Sequence, residues 1–555
     1  MDYTVLVGGA AGQGIDTVVN LLERTIKRCG YYVFTYKDFM SRVRGGHNFM
    51  QVRFSDKPLT SYTSKIDMIF ALNEETVRLH REKLKPYGVV ILDKELAKAE
   101  EFNHLPLIEI AKELNNQRVY PTVGLGALCN YFGIDLKVAK EVIDDVLGEK
   151  ISDVNKQALE RGYNMLERKY ELPIRKDNHI LINGNQALAL GAIAAGCRYY
   201  CGYPMTPSSS VMTYMSSKSN EMGIIVDQIE DEVGALNMAI GASYAGVRAM
   251  TGSSGGGIAL MVEALSLAGI LETPIVLFNA QRPGPATGLS TRTEQSDLRF
   301  MIHAGHGEFP RMVITLRSPD DAFYQAARAF NLAEKYQIPV ILMTEEYLTD
   351  YSMTLEPFDF SKITIERHLA SNDDIIDERY LRYKFTESGV SPRIIPGKIH
   401  GKVILVDSHE HNEAGHIDED PENRTKMVDK RMKKLEGLEM ELQEPWFIGS
   451  EVPENLIVCF GATYGAVKEA VERLNEDGKS YGALIYGDIW PFPTKLINKF
   501  GPKAKNIILI EQNATGQLES LINEKTNIKC THRILKYDGR PINADEIIEK
   551  LNCQL

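Results

Sequence analysis

The chain has 555 residues, 44% of them apolar and 25% charged, and a formal net charge of −12. Such a length suggests roughly three to four domains, and the acidic balance, without a basic tail or stripe, argues against nucleic acid as a partner. No apolar run is long enough to span a bilayer, and the N-terminus enters a strand rather than a signal peptide, so no membrane association and a cytoplasmic location are expected.

The seven cysteines, Cys29, Cys129, Cys197, Cys201, Cys459, Cys530 and Cys553, are odd in number and scattered, and none forms a C-x-x-C pair. Neither a disulfide framework nor a metal or iron–sulfur site carried by this chain alone is expected.

Tyr3 to Val7 is an apolar strand that runs into Gly8-Gly-Ala-Ala-Gly-Gln-Gly14 and a helix from Ile15 to about Lys27. A glycine-rich turn of this kind brings backbone N–H groups to a helix N-terminus where a phosphate could sit; close packing of helix on strand would need the same glycines. The spacing differs from the dinucleotide pattern G-x-G-x-x-G, which weakens a nicotinamide or flavin reading. Strands at Tyr32 to Tyr36, Phe49 to Phe54, Met68 to Leu72 and Val89 to Leu92 suggest alternation with helices in a parallel sheet. Arg42 and Arg44, beside Gly45-Gly46, could receive an anionic group or lie in a solvated loop. A helical stretch from about Lys137 to Lys169 closes this region, and Glu171 to Asn178 reads as a linker.

A second α/β region opens at Ile180. Its most distinctive stretch is Cys201-Gly-Tyr-Pro-Met-Thr-Pro-Ser-Ser-Ser210 between a short strand and a helix. Pro204 and Pro207 fix φ at two points and the hydroxyls can cap the helix, which suits either an ordinary turn or a ligand-facing one at a sheet edge. Gln228-Ile-Glu-Asp-Glu-Val-Gly-Ala235 leads into a helix dense in Ala and Gly, so one of Glu230, Asp231 and Glu232 should cap the helix or face solvent while a buried one could exchange protons with a ligand nitrogen. Asn279 to Glu294 follows a strand, and Arg282 in this Pro/Gly-held loop suits a carboxylate. From Met353 to about Pro445 regular patterning fades into a charged connector, with Arg424 to Lys434 reading as a solvated helix. His409, His411 and His416 suit an interface or surface better than a metal site. Strands at Leu456 to Phe460, Ala483 to Ile485 and Ile507 to Ile510 form a third α/β region without obvious catalytic residues.

Taken together, these motifs resemble the α subunit of 2-oxoacid:ferredoxin oxidoreductases in the form with a γ domain fused at the N-terminus. Tyr203-Pro-Met-Thr-Pro-Ser208 is similar to the family's Y-P-I-T-P-S and is the most specific match. Gly9 to Gly14 and Val43-Arg-Gly-Gly-His47 resemble the γ-domain signatures, with Ala11 where the family has glycine. Asp231 to Ala235, Gln281 to Glu294, His416 to Pro421 and Glu511 to Gln517 resemble further landmarks, while Ser254-Gly-Gly-Gly257 stands where S-G-P-G is common.

The resemblance implies three doubly wound parallel-sheet α/β domains: a γ domain (1–175), a thiamine diphosphate pyrimidine-binding domain (176–355), and, after a connector (356–450), a transketolase C-terminal-like domain (451–555). It implies oxidative decarboxylation of a 2-oxoacid, 2-oxoglutarate and/or pyruvate, to acyl-CoA with electrons passed to ferredoxin. Glu232 would hydrogen-bond the aminopyrimidine ring of thiamine diphosphate, with Tyr203 and Pro204 beside it. Arg282, Thr206 and Thr291 would hold the substrate, and Arg42 and Arg44 could meet coenzyme A. No G-D-G followed by an N-N pair is present, nor a four-cysteine set. A β subunit supplying Mg²⁺, the diphosphate half of the site and a [4Fe-4S] cluster is therefore expected, in an αβ or (αβ)2 assembly. The alternatives are an indolepyruvate or branched-chain oxoacid enzyme of the same superfamily, or a non-catalytic scaffold that binds a nucleotide or CoA.

Overall fold

A computed structural model describes residues 1–41, 45–96, 103–375 and 379–555; Arg42 and Arg44 lie outside the described residues. The chain divides into two compact units. The first is Met1–Asn183 with Asp350–Pro357 and Asn543–Glu549, and the second is the remainder.

The first unit is built on an eight-stranded sheet in the order Asn103–Leu105, Leu84–Asp93, Ile66–Ala71, Asp2–Ala10, His47–Ser55, Tyr32–Asp38, Ser352–Leu355, Ile180–Asn183. Asp2–Ala10 and the three strands on one side of it pair in parallel, but His47–Ser55 is antiparallel to both Asp2–Ala10 and Tyr32–Asp38. The α/β class holds, yet the helix alternation expected between Tyr32 and Phe54 is replaced by direct antiparallel pairing. The segment from Asp38 to His47 is shorter than the dozen or so residues a parallel crossover needs. Strand Ile180–Asn183, expected to open the second region, instead pairs with Ser352–Leu355 at the edge of this sheet. Val5, Val7, Phe54, Phe70 and Ile91 form the core under helices that include Ile15–Arg28 and Tyr120–Tyr131.

The second unit carries two sheets. One has seven strands, in the order Asp488–Trp490, Met312–Thr315, Pro339–Glu345, Ile275–Gln281, Ala249–Ser253, Tyr199–Gly202, Ile225–Gln228, parallel except at the Asp488–Trp490 edge. The other has five, in the order Trp446–Gly449, Tyr481–Tyr486, Asn455–Phe460, Asn506–Glu511, His532–Leu535, parallel except at Trp446–Gly449. Leu277, Ile341, Val458, Leu484 and Leu509 belong to one continuous apolar cluster, so the two sheets share a core. No helix of the described residues is long and apolar enough to cross a membrane.

The connector departs from expectation. Its helix Pro421–Glu439 is solvated on one face only along Arg424 to Lys434: Arg424, Lys426 and Lys433 are exposed, but Lys430, Arg431 and Lys434 are buried. Lys430 and Lys434 converge on buried Glu272 at 2.7 and 2.5 Å, and Arg431 pairs with Glu410 at 2.7 Å. Buried Glu334 similarly receives Arg248, Arg367 and Arg393 at 3.0, 2.8 and 3.1 Å. A run of cations looks the same in sequence whether it meets water or carboxylates far along the chain, and only the fold supplies those carboxylates. Of the three connector histidines, His409 meets Asp407, His416 meets Arg379, and His411 is buried against Tyr383.

Candidate active site

Four strands that pair in parallel, Ile275–Gln281, Ala249–Ser253, Tyr199–Gly202 and Ile225–Gln228, end along one edge of the seven-stranded sheet. The chain goes outward from Tyr199–Gly202 to Ile225–Gln228, then returns to pair Ala249–Ser253 on the other side. Such a reversal, at the strands' carboxyl ends, is the usual ligand position in sheets of this kind. All three polar segments singled out in the second region leave the sheet at this edge.

Glu232 is the first residue of helix Glu232–Tyr244. Asp231 is its N-cap, its Oδ1 accepting from Val233 N at 2.9 Å and Gly234 N at 3.2 Å. The cap therefore turns the three acids in different directions: Glu230 and Asp231 are exposed, whereas Glu232 is only 3% exposed. Glu232 Oε1 is buried with no hydrogen-bond partner. Leaving a buried carboxylate oxygen unsatisfied costs free energy unless a ligand supplies a donor. Gly257 makes room for it, since a Cβ there would lie 2.8 Å from Glu232 Oε1 and would collide with Ser253 Oγ. The Gly-Gly-Gly start of helix Gly255–Ile270 thus keeps side chains away from the acid; Gly255 likewise abuts Asp297, whose carboxyl burial pushes upward in pKa.

The turn after Tyr199–Gly202 is held from both sides. Asn185 Nδ2 donates to Pro207 O at 3.0 Å and to Ser210 Oγ at 2.5 Å, and Ser254 Oγ donates to Met205 Sδ at 2.7 Å. Tyr203 and Thr206 are half-buried and Pro204 is exposed. Arg282 Nη1 donates to the Thr206 carbonyl at 2.7 Å, which joins the turn to the loop after Ile275–Gln281. No carboxylate of the described residues pairs with Arg282, and burial pulls its pKa down. A half-buried guanidinium with only a carbonyl on it retains donors for an incoming carboxylate. Thr291 lies buried on the same loop, which is tightened where Leu289 N donates to Pro283 O at 3.1 Å. The structure thus brings Glu232, Thr206 and Arg282 to one sheet edge, through Gly257, Ser254 and Met205.

Sequence reasoning passed over Asn185, which pins the turn, and Gln295 with Glu345, which pin the far end of the Arg282 loop. Glu345 ends the apolar strand Pro339–Glu345, and a carboxylate closing such a run was the available signal. Gln295 carried none.

In the first unit, Gly12 and Gly14 both adopt φ of 90°, and Gly14 is the N-cap of Ile15–Arg28 with no side-chain cap. Gln13 closes the turn, its Oε1 accepting from Ala10 N at 2.6 Å and its Nε2 donating to Leu72 O at 3.2 Å. A cavity of about 510 Å³ opens there, lined by Gly12, Gly14, Thr17, Lys37, Met40 and Asn48.

Residues 190–430 match the family model "Pyruvate flavodoxin/ferredoxin oxidoreductase, thiamine diP-bdg". Residues 4–165 match "Pyruvate ferredoxin/flavodoxin oxidoreductase", and 453–547 match "Pyruvate:ferredoxin oxidoreductase core domain II". The 2-oxoacid:ferredoxin oxidoreductase subunit alpha of a Sulfolobus species is 35% identical, over 99% of this chain and 96% of that protein. A 2-oxoglutarate synthase subunit KorA of Methanothermobacter thermautotrophicus is 34% identical over 61% of this chain and 88% of its own length. The solved 2-oxoglutarate:ferredoxin oxidoreductase from Magnetococcus marinus, with 2-oxoglutarate, coenzyme A and succinyl-CoA bound, superposes with a TM-score of 0.91, 31% identity and 99% coverage of both chains.

Proposed function

The chain belongs to the 2-oxoacid:ferredoxin oxidoreductases as an α subunit, and on that premise we propose that Glu232, Arg282 and Thr206 are this chain's half of a thiamine diphosphate site where a 2-oxoacid is oxidatively decarboxylated to acyl-CoA. The observation that carries this assignment is the buried, unpartnered Oε1 of Glu232, kept clear by Gly257. It fits the donor-bearing aminopyrimidine of thiamine diphosphate, which Glu232 would hold with Tyr203 and Pro204 at the rim. That cofactor, when bound, supplies the carbon nucleophile and electron sink that decarboxylation requires.

This chain's residues orient the reactants. Arg282 receives the substrate carboxylate, and its bond to the Thr206 carbonyl fixes the guanidinium for that contact. The hydroxyls of Thr206 and Thr291 donate to the carboxylate or the keto oxygen. Glu232, carried on the capped first turn of its helix, holds or passes a proton at the ring nitrogen it meets. The oxoacid is 2-oxoglutarate and/or pyruvate, the former supported by the archaeal 2-oxoglutarate synthase relative and the liganded Magnetococcus enzyme.

A β subunit contributes Mg²⁺ with the diphosphate half of the site and a [4Fe-4S] cluster, which passes electrons to ferredoxin. Val233, Met238 and Leu260, exposed apolar side chains on the two helices that flank Glu232, support a covering partner at this edge, in an αβ or (αβ)2 assembly. Coenzyme A docks in the cavity at the Gly12–Gly14 turn, whose helix N-terminus suits phosphate, and Arg42 and Arg44 are the cations assigned to meet it. The segments 1–175, 176–355 and 451–555 are the γ, pyrimidine-binding and transketolase C-terminal-like domains, joined by the connector 356–450, except that strands Ile180–Asn183 and Ser352–Leu355 at the ends of the middle segment lie in the first unit's sheet.

Steady-state assays of the complex with its β subunit, using 2-oxoglutarate, pyruvate and 2-oxobutyrate with a viologen acceptor, test the assignment. CoA-dependent dye reduction with at least one oxoacid, and none by this chain alone, is the expected result. Oxoacid-independent behaviour would leave the chain a scaffold.

A further inference from the structure

Arg282 enters its loop from one strand, but the loop's exit is fastened elsewhere. Gln295 is 0% exposed and its hydrogen-bonding groups reach outward from the loop in four directions. Its backbone N–H donates to Gln512 O at 2.7 Å, and its carbonyl accepts from Asn513 Nδ2 at 3.0 Å. The side-chain Nε2 donates to Glu345 Oε1 and Phe460 O, both at 3.0 Å. Oε1 accepts from Gln512 N at 3.1 Å and from Thr463 Oγ1 at 3.2 Å. Phe460, Thr463, Gln512 and Asn513 all stand at the ends of the two central strands of the five-stranded sheet, Asn455–Phe460 and Asn506–Glu511. Gln517 adds a clasp, its Nε2 donating to Ser296 O at 2.7 Å and its Oε1 accepting from Arg299 N at 2.9 Å.

Glu345 is the counterpart on the seven-stranded sheet. It is 1% exposed, and its Oε1 accepts from Ala462 N at 2.8 Å as well as from Gln295. Gly461, at φ of 60°, leaves it space; a Cβ there would lie 3.0 Å from both Gln295 Nε2 and Glu345 Oε2. Burial pushes the Glu345 carboxyl up to about 8; its Oε1 takes both donors and its Oε2 is buried without a partner, which favours the protonated form.

We propose that Gln295 and Glu345 are positioning residues for oxoacid binding, through which the five-stranded sheet sets the placement of Arg282 and Thr291. The third α/β region thereby acts on substrate affinity through the loop it holds. The inference rests on the assignment of Arg282 to the substrate carboxylate.

The test uses the assembled complex and reads oxoacid KM, CoA KM and kcat for Gln295→Ala, Glu345→Ala, Glu345→Gln and Thr463→Val, with Arg282→Ala alongside. Gln295→Ala and Glu345→Ala, each of which removes more than one buried hydrogen bond, are expected to raise the oxoacid KM about tenfold or more, with CoA KM unmoved. Glu345→Gln keeps an amide oxygen for both donors and should restore a KM near wild type. Thr463→Val, which removes one donor from outside the loop and is less disruptive to folding, should give a smaller rise in the same constant. If kcat and both KM values fall or rise together with thermal stability, or if Glu345→Gln behaves as Glu345→Ala, the positioning role is overturned. An unchanged oxoacid KM in Arg282→Ala instead overturns the assignment beneath it, whatever the other variants do.

Discussion

Two strand-to-helix turns, one in each compact unit, mark this chain most strongly, and they are built from opposite materials. The Gly8–Gly14 turn bends through residues with φ of 90° and leaves its helix without a side-chain cap, so what it presents is backbone. The Cys201–Ser210 turn is stiffened by prolines and braced by Asn185, and what it presents is a carbonyl and hydroxyls, with an arginine already on the carbonyl. A backbone turn selects by charge and shape and can serve any phosphate-bearing ligand. A braced side-chain turn holds one geometry and suits the reacting end of a small substrate.

Substitutions at glycine separate the sites that the two turns serve. Gly257→Ala in the second unit puts a methyl against Ser253 Oγ and 2.8 Å from Glu232 Oε1, so the acid must shift. A loss of about a hundredfold in kcat is expected from that displacement, measured as oxoacid-dependent dye reduction; near-normal turnover would mean Glu232 need not stand where it does. Arg282→Ala is next in size, with oxoacid KM rising about 10- to 100-fold, the range for a charge-assisted pair, and CoA KM unchanged. Gly12→Ala meets no atom within 4 Å, so only backbone strain at φ of 90° opposes it. It should weaken CoA binding by roughly fivefold, about 1 kcal/mol, and leave oxoacid KM alone. A reversed pattern, with oxoacid KM moving and CoA KM fixed, would break the division of labour between the turns.

The smallest effect is one of pH. The Glu345 carboxyl keeps its proton to about pH 8 in the folded chain, whereas an unfolded glutamate releases it near 4.5. Folded protein therefore binds more protons across that window, and stability falls as pH rises through it. Gln295 and the Ala462 N–H donate to Glu345, the Cys459 thiol beside it is held protonated by burial, and that thiol also faces buried Glu511, pushed up to about 7, which wild type and variant share. Glu345→Gln removes this dependence, so its urea midpoint should gain on wild type between about pH 5 and pH 8; equal differences at both ends would contradict the neutral acid.

The three segments of the candidate site were legible because their signals are local. Prolines around Thr206, the acids before an Ala/Gly helix and an arginine in a Pro/Gly loop each announce themselves within a few residues, and parallel topology brings them to one edge. The first sheet was read as too regular because strand spacing does not show direction; only the short interval from Asp38 to His47 did. The connector was misread for a different reason. Lys430 and Lys434 owe their burial to Glu272, and Arg248 its burial to Glu334, pairings that no periodicity encodes. Gln295 was invisible on the same ground, being an ordinary loop residue until two sheets close around it.

The central claim is that Glu232 activates the cofactor half completed by another chain. Its most direct measurement is oxoacid-dependent viologen reduction by the assembled complex carrying Glu232→Gln, with assembly and thermal midpoint checked in parallel. The account predicts intact assembly and turnover reduced by about a hundredfold or more, the scale of a lost proton-transfer group. Undiminished turnover in a fully assembled Glu232→Gln complex would contradict it.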